Sequence, residues 1–156
     1  MSDLYERDVM LWSERQAELL RRHAAGERMN DEVLDWPNII EEIESVGNEQ
    51  YFAFESHLRQ ALTHALKIQA WPGTPYVSHW RAEARVFRDQ AKGRFTASMR
   101  RKIDLTRLWR LALRGMPDDI DGQPPLPVPE TCPDTLDALL GDGPCAMFPE
   151  ADSRRG

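Results

Sequence analysis

The sequence predicts an all-α, four-helix-bundle-like single domain with a proline-rich C-terminal arm and a short terminal helix. Three observations point there. Apolar residues recur at helical spacing over four long stretches, no strand-like alternation of useful length occurs, and Gly or Pro residues punctuate the stretches where helices should stop. The bundle with its arm is placed at 1–142, the arm at 116–130, the short helix at 131–140 and an irregular tail at 143–156.

The first helix is read from Leu4 to Ala25, with Tyr5, Val9, Trp12 and Leu19 on one face and Gly26 as its stop. A short helical turn is expected at Asp31-Glu32-Val33-Leu34. The second helix has its start at Trp36-Pro37, because proline disfavours helix at Trp36 and pre-sets φ at the first helical position. From Ile39 the apolar positions Ile43, Val46, Gly47, Phe54, Leu58, Ala61, Ala65 and Ile68 share one arc, which predicts a long buried stripe ending at Trp71-Pro72. Gly47-Asn48 is the expected site of a kink or break. Ser78 is the expected cap of the third helix, whose stripe is Trp80, Ala84, Phe87 and Ala91, with an interruption at Gly93. The fourth helix starts near Thr96 or Ser98, carries Met99, Ile103, Leu108, Trp109, Ala112 and Leu113, and stops at Gly115 and Pro117. Pro124, Pro125, Pro127 and Pro129 favour an extended connector, and Thr131-Cys132-Pro133-Asp134 caps the last helix through Leu140.

Composition bounds the function. At 156 residues, 41% of them hydrophobic, the chain is long enough to bury a core. It holds no apolar run near the ~20 residues that span a bilayer, so no membrane role is expected. Its start lacks the layout of a secretory signal. Cys132 and Cys145 form no CxxC pair, which points to free thiols in a reducing compartment, the cytoplasm, with a disulfide between them in the tail as the alternative. Charge is uneven. Residues 1–70 hold 7 Lys/Arg against 14 Asp/Glu, residues 81–114 hold 11 against 3, and residues 115–156 hold 2 against 9.

The segment Leu34-Asp35-Trp36-Pro37-Asn38-Ile39-Ile40-Glu41-Glu42-Ile43-Glu44-Ser45-Val46-Gly47 resembles the bacterial family catalogued as domain of unknown function number twenty-nine. Tyr5 through Leu20, His64-Ala65-Leu66-Lys67-Ile68-Gln69, Ser78-His79-Trp80-Arg81 and Pro129-Glu130-Thr131-Cys132-Pro133-Asp134-Thr135-Leu136 are similar to its other segments, in order over residues 4–142. The resemblance implies a small helical bacterial protein and carries no activity, cofactor or catalytic residue.

The candidate polar cluster is Glu41, Glu44, His57, His64, Trp80 and Arg81. Carboxylates and imidazoles on helices suit a metal-dependent bundle enzyme, yet no Glu-x-x-His occurs. His57 and His64 share a helix face but lie ~10.5 Å apart along the axis, too far to bind one ion unaided. The expectation is no metal and no cofactor, with each histidine hydrogen-bonded at the edge of the core. A basic stripe of Arg81, Arg85, Arg88 and Lys92, continuing in Arg100, Arg101, Lys102, Arg107, Arg110 and Arg114, suggests phosphate contact. A pI near 5.2 and the absence of any nucleic-acid motif oppose that reading. Pairing with the acidic second helix and tail explains the stripe without nucleic acid. No nucleophile elbow, phosphate loop or dinucleotide fingerprint is present. The leading reading is a helical interaction or scaffold module, acting on another protein or by self-association. The alternatives are the metal-dependent bundle enzyme and a nucleic-acid-binding protein.

Overall fold

The computed structural model describes residues 2–149. Among them lie α1 (Ser2–Arg7), α2 (Val9–Ala24), α3 (Trp36–Ala70), α4 (Val77–Arg94), α5 (Leu105–Arg114) and α6 (Leu136–Leu140), with 3-10 turns at Asp31–Val33 and Ala97–Arg101. The described residues contain no strand, only an isolated bridge between Ile120 and Gln123, so the molecule is all-α. No helix among them is long and apolar enough to cross a membrane. The sequence predicts one helical body over 1–142. The contacts divide the chain into two compact units, Met1–Glu49 and Gln50–Gly156.

In the first unit the expected single helix is two. Asp8 caps α2, its carboxylate accepting from the Leu11 N–H at 3.0 Å, which makes it the break between α1 and α2. Gly26, at φ 87°, closes the segment after α2 in the left-handed region. Trp12, Leu34 and Ile39 form the core, with Leu4, Tyr5, Leu19 and Leu20 against it. Tyr5 meets Trp12 edge-on at 4.8 Å. The chain enters α3 through buried Asp35, which ties three partners together. Its N–H donates to Gln16 Oε1 at 2.9 Å. Its carboxylate accepts from the Trp12 indole at 3.0 Å and from the Asn38 amide at 2.8 Å. The Asn38 bond first, and the Trp12 bond against the opposing effect of burial, hold the Asp35 carboxyl below its ordinary pKa.

α3 runs 35 residues with no break at Gly47-Asn48. A lone glycine costs a helix ~1 kcal/mol, which its neighbours can carry. In the second unit the expected stripe of α3 is buried. Phe54, Leu58 and Ala61 are fully covered and Ala65 nearly so, together with Leu66, Leu108, Trp109 and Leu139. In the first unit the same stripe is not buried: Ile43 and Val46 are 68% and 61% exposed. α4 begins at Val77 after Tyr76 rather than at a Ser78 cap, and it passes Gly93 to end at Arg94. The expected fourth helix breaks into the 3-10 turn and α5, because Asp104 caps α5 by accepting from the Arg107 N–H at 3.0 Å.

The proline-rich segment lies on its own unit. The Trp71 and Trp109 indoles donate to the Gln123 and Pro129 carbonyls at 2.9 and 3.1 Å, and the Leu126 N–H donates to the Ala70 carbonyl at 2.9 Å. Asp121 and Gly122, both at positive φ, make the tight turn between Ile120 and Gln123. α6 is shorter than expected, starting after Thr135, whose hydroxyl accepts from the Ala138 N–H at 3.2 Å. The segment read as an irregular tail is non-helical but packed as far as it is described. Met147 and Phe148 are buried in the main core, and the Asp134 carboxylate accepts from the Ala146 and Met147 N–H groups at 3.0 and 2.8 Å. The rest of that tail lies outside the described residues.

Candidate functional site

The polar residues singled out in the sequence divide between the units. Glu41 and Glu44 stand exposed on α3 in the first. There the engaged glutamate is Glu42, which accepts from the Tyr5 hydroxyl at 2.6 Å. That bond is the main reason the Tyr5 phenol is pushed up to about 12. In the second unit His57 and His64 flank one ring, Phe87, with centroids at 6.2 and 5.6 Å. His64 Nδ1 lies 2.8 Å from the Gln60 carbonyl oxygen. A carbonyl only accepts, so Nδ1 is the donor in this contact. His57 departs from the expectation, because its buried Nδ1 has no hydrogen-bond partner among the described residues.

Trp80 is buried with Ala70 and Trp71 in a second cluster, where Lys67 Nζ stands 6.0 Å over its ring. Arg81 is half-buried on the cleft described below. No group of three or more His, Cys, Asp or Glu among the described residues is arranged to hold a metal. Cys132 and Cys145 are free and half-buried. Burial pushes both thiols up, opposite to the shift that makes a cysteine a nucleophile.

Arg88, Lys92 and Arg100 of the basic stripe are drawn onto the chain's own C-terminal segment. Arg88, 5% exposed, closes the end of α6. Its Nε donates to the Leu139 carbonyl at 2.8 Å, and its Nη2 to those of Ala138, Gly141 and Gly143 at 3.2, 2.8 and 3.2 Å. Carbonyls at a helix C-terminus lack intrahelical partners and carry negative partial charge, so a guanidinium there satisfies both needs. Phe148 covers the guanidinium at 4.7 Å. Lys92 pairs with Asp142 and Arg100 with Asp137, each at 2.7 Å, and Arg107 pairs with Glu55 at 3.0 Å. The aromatics between these cations, Trp80 and Trp109 buried and Phe87 half-buried, fill the core. The role of Arg88 escaped sequence reasoning. The available signal was a short helix with two glycines after it and no basic residue of its own in its last turn.

Beside this end of α6 the second unit holds a cleft of about 300 Å³. Ile68, Ala84, Met147 and Phe148 give it apolar walls, Arg81, Arg85, Arg88 and Lys92 line it as cations, and Asp89 and Asp142 as carboxylates. In the first unit the notable surface is apolar. Trp36, Ile40, Ile43 and Val46 are 37%, 53%, 68% and 61% exposed, and at 100° per residue they share one arc with buried Ile39. Glu44 and Glu42 border it on the helix, one on each side.

Comparison with known proteins gives the family and the fold. No curated protein matches the chain. An α-helical protein of unknown function from Rhodospirillum rubrum, solved by crystallography, is similar in fold. Its TM-score is 0.59 at 24% identity, covering 87% of this chain and 88% of that one. The model of the family described as "Domain of unknown function DUF29" matches residues 4–143, which span both compact units, and the chain belongs to that family.

Proposed function

We propose that the protein is a small helical interaction module whose docking face is the apolar stripe of α3 in the first unit. The observation that supports this is the exposure of Trp36, Ile40, Ile43 and Val46 on one helix face, on a segment whose Leu34, Asp35 and Ile39 are buried. Each such side chain gains ~1.5–3 kcal/mol on full burial, so a contiguous stripe left in water is a site awaiting a partner. The segment 36–49 carries Glu41, Glu42, Glu44 and Glu49 and no Lys or Arg. Antiparallel pairing with a second copy sets glutamate against glutamate, whereas an amphipathic helix with basic flanks meets both the stripe and its border. The partner of this module is such a basic amphipathic helix. Two free cysteines favour the cytoplasm as its place of work.

The metal-enzyme alternative gains no support from the arrangement of ligands. The nucleic-acid alternative is weakened by the cations already paired within the second unit. The test is titration of the full chain with two synthetic helices, one of leucine and lysine and one of leucine and glutamate. The basic helix binds and the acidic one does not, and Ile43→Glu weakens binding more than about tenfold, since a buried apolar contact is replaced by a charge. Equal binding of both helices, or an unchanged affinity in Ile43→Glu, sinks the reading. A dimer in light scattering that Ile43→Glu dissolves makes the partner a second copy instead.

A further inference from the structure

We propose that the cleft of the second unit binds a small organic anion, a carboxylate or phosphate monoester carried on a short apolar body. The floor suits the body and the rim suits the head. Ile68, Met147 and Phe148 present hydrocarbon, while four cations face two carboxylates, Asp89 and Asp142, around a volume of about 300 Å³. That volume is at the lower end for small-molecule sites, which are mostly apolar with a few placed polar groups.

The cation that makes this a built site is Arg88. Four backbone carbonyls hold its Nε and Nη2, and Phe148 covers its plane. Its Nη1 donates no hydrogen bond to any described residue. A guanidinium so fixed loses no rotamer freedom when it binds, and its free N–H groups match a carboxylate or phosphate oxygen. Arg85, one turn earlier on α4, is exposed and makes no ion pair among the described residues. Lys92 adds its charge from the next turn, shared with Asp142. Cations at 85, 88 and 92 on one helix, above an apolar floor from α3 and the 147–148 segment, select charge sign and apolar length together.

Calorimetric titration of the full chain with octanoate, octyl phosphate, octylamine and inorganic phosphate tests this. Octanoate or octyl phosphate saturates one site, whereas octylamine and inorganic phosphate do not. Which of the two anions binds more tightly identifies the head group. Arg85→Glu weakens that binding about tenfold or more and leaves the urea midpoint unchanged, because the side chain holds nothing in the fold. The proposal is overturned if neither anion saturates at millimolar concentration. It is equally overturned if octylamine binds as tightly as octanoate, or if Arg85→Glu binds as the parent chain does.

Discussion

Arg88 and Lys92 lie one turn apart on α4 and look interchangeable in the sequence, yet their surroundings separate them. Lys92 makes one ion pair among the described residues, with Asp142, whose side chain is 77% exposed. Pairs of that kind contribute ~0–1 kcal/mol. Arg88 is buried and holds four carbonyls, and hydrogen bonds to a charged group are worth ~1.5–3 kcal/mol each before losses are shared. Arg88→Ala leaves those carbonyls and the underside of Phe148 without their partner. It lowers stability by about 3 kcal/mol or more in urea denaturation, while Lys92→Ala changes it by less than about 1 kcal/mol. Similar losses for the two variants would mean that Arg88 is not the fastener of the C-terminal segment. Arg88→Lys recovers only part of the loss, because an ammonium cannot reproduce the planar fork that reaches Leu139 and Gly141 together.

At the scale of elements, α3 shows what was legible and what was not. Its start at the Trp36-Pro37 step and its end before Trp71-Pro72 follow from local backbone chemistry, although Trp36, which the next proline disfavours in a helix, is itself the first helical residue. So does the buried stripe from Phe54 to Ala65. The fate of Ile43 and Val46 was not legible, since periodicity fixes which residues share a face but not whether another element covers it. The breaks at Asp8 and Asp104 were legible in principle, each an aspartate accepting from the N–H three residues on. The apolar periodicity running through them concealed both. Of the candidate site, the basic stripe was readable from spacing. Its attachment to residues 138–143 was not, because that contact joins positions about fifty apart. Gly47 supplies the prediction at this scale. It sits inside an unbroken helix, with nothing within 4 Å of where a Cβ would lie. Gly47→Ala therefore stabilises the chain by ~0.5–1 kcal/mol through the helix propensity of alanine, seen as a higher urea midpoint and no loss of helical circular dichroism. A destabilised Gly47→Ala would show that the glycine serves a bend or a close approach.

Across the whole molecule, each unit contains a tyrosine whose hydroxyl donates to a carboxylate of α3, and both respond to pH in the same sense. Tyr5 donates to Glu42 at 2.6 Å in the first unit, and Tyr51 donates to Glu55 at 2.8 Å in the second. Both phenols are pushed from 10.0 up to about 12, Tyr5 chiefly by its bond to Glu42 and Tyr51 chiefly by burial, then by Glu55. A raised phenol pKa means that folding favours the protonated form. The stabilisation is therefore complete below pH 10 and is lost as pH rises from about 10 to about 12. Absorbance at 295 nm should show two tyrosines ionising near the top of that range in the folded chain. Tyr5→Phe and Tyr51→Phe should each remove one of these ionisations, and Tyr51→Phe should flatten the fall in urea midpoint above pH 10. Lysines also titrate in this range, so the comparison that decides is between each variant and its parent at equal pH. A parent whose tyrosines all ionise near 10 would show that neither hydroxyl is held by its glutamate in solution. The first unit would then lose the bond that joins α1 to α3.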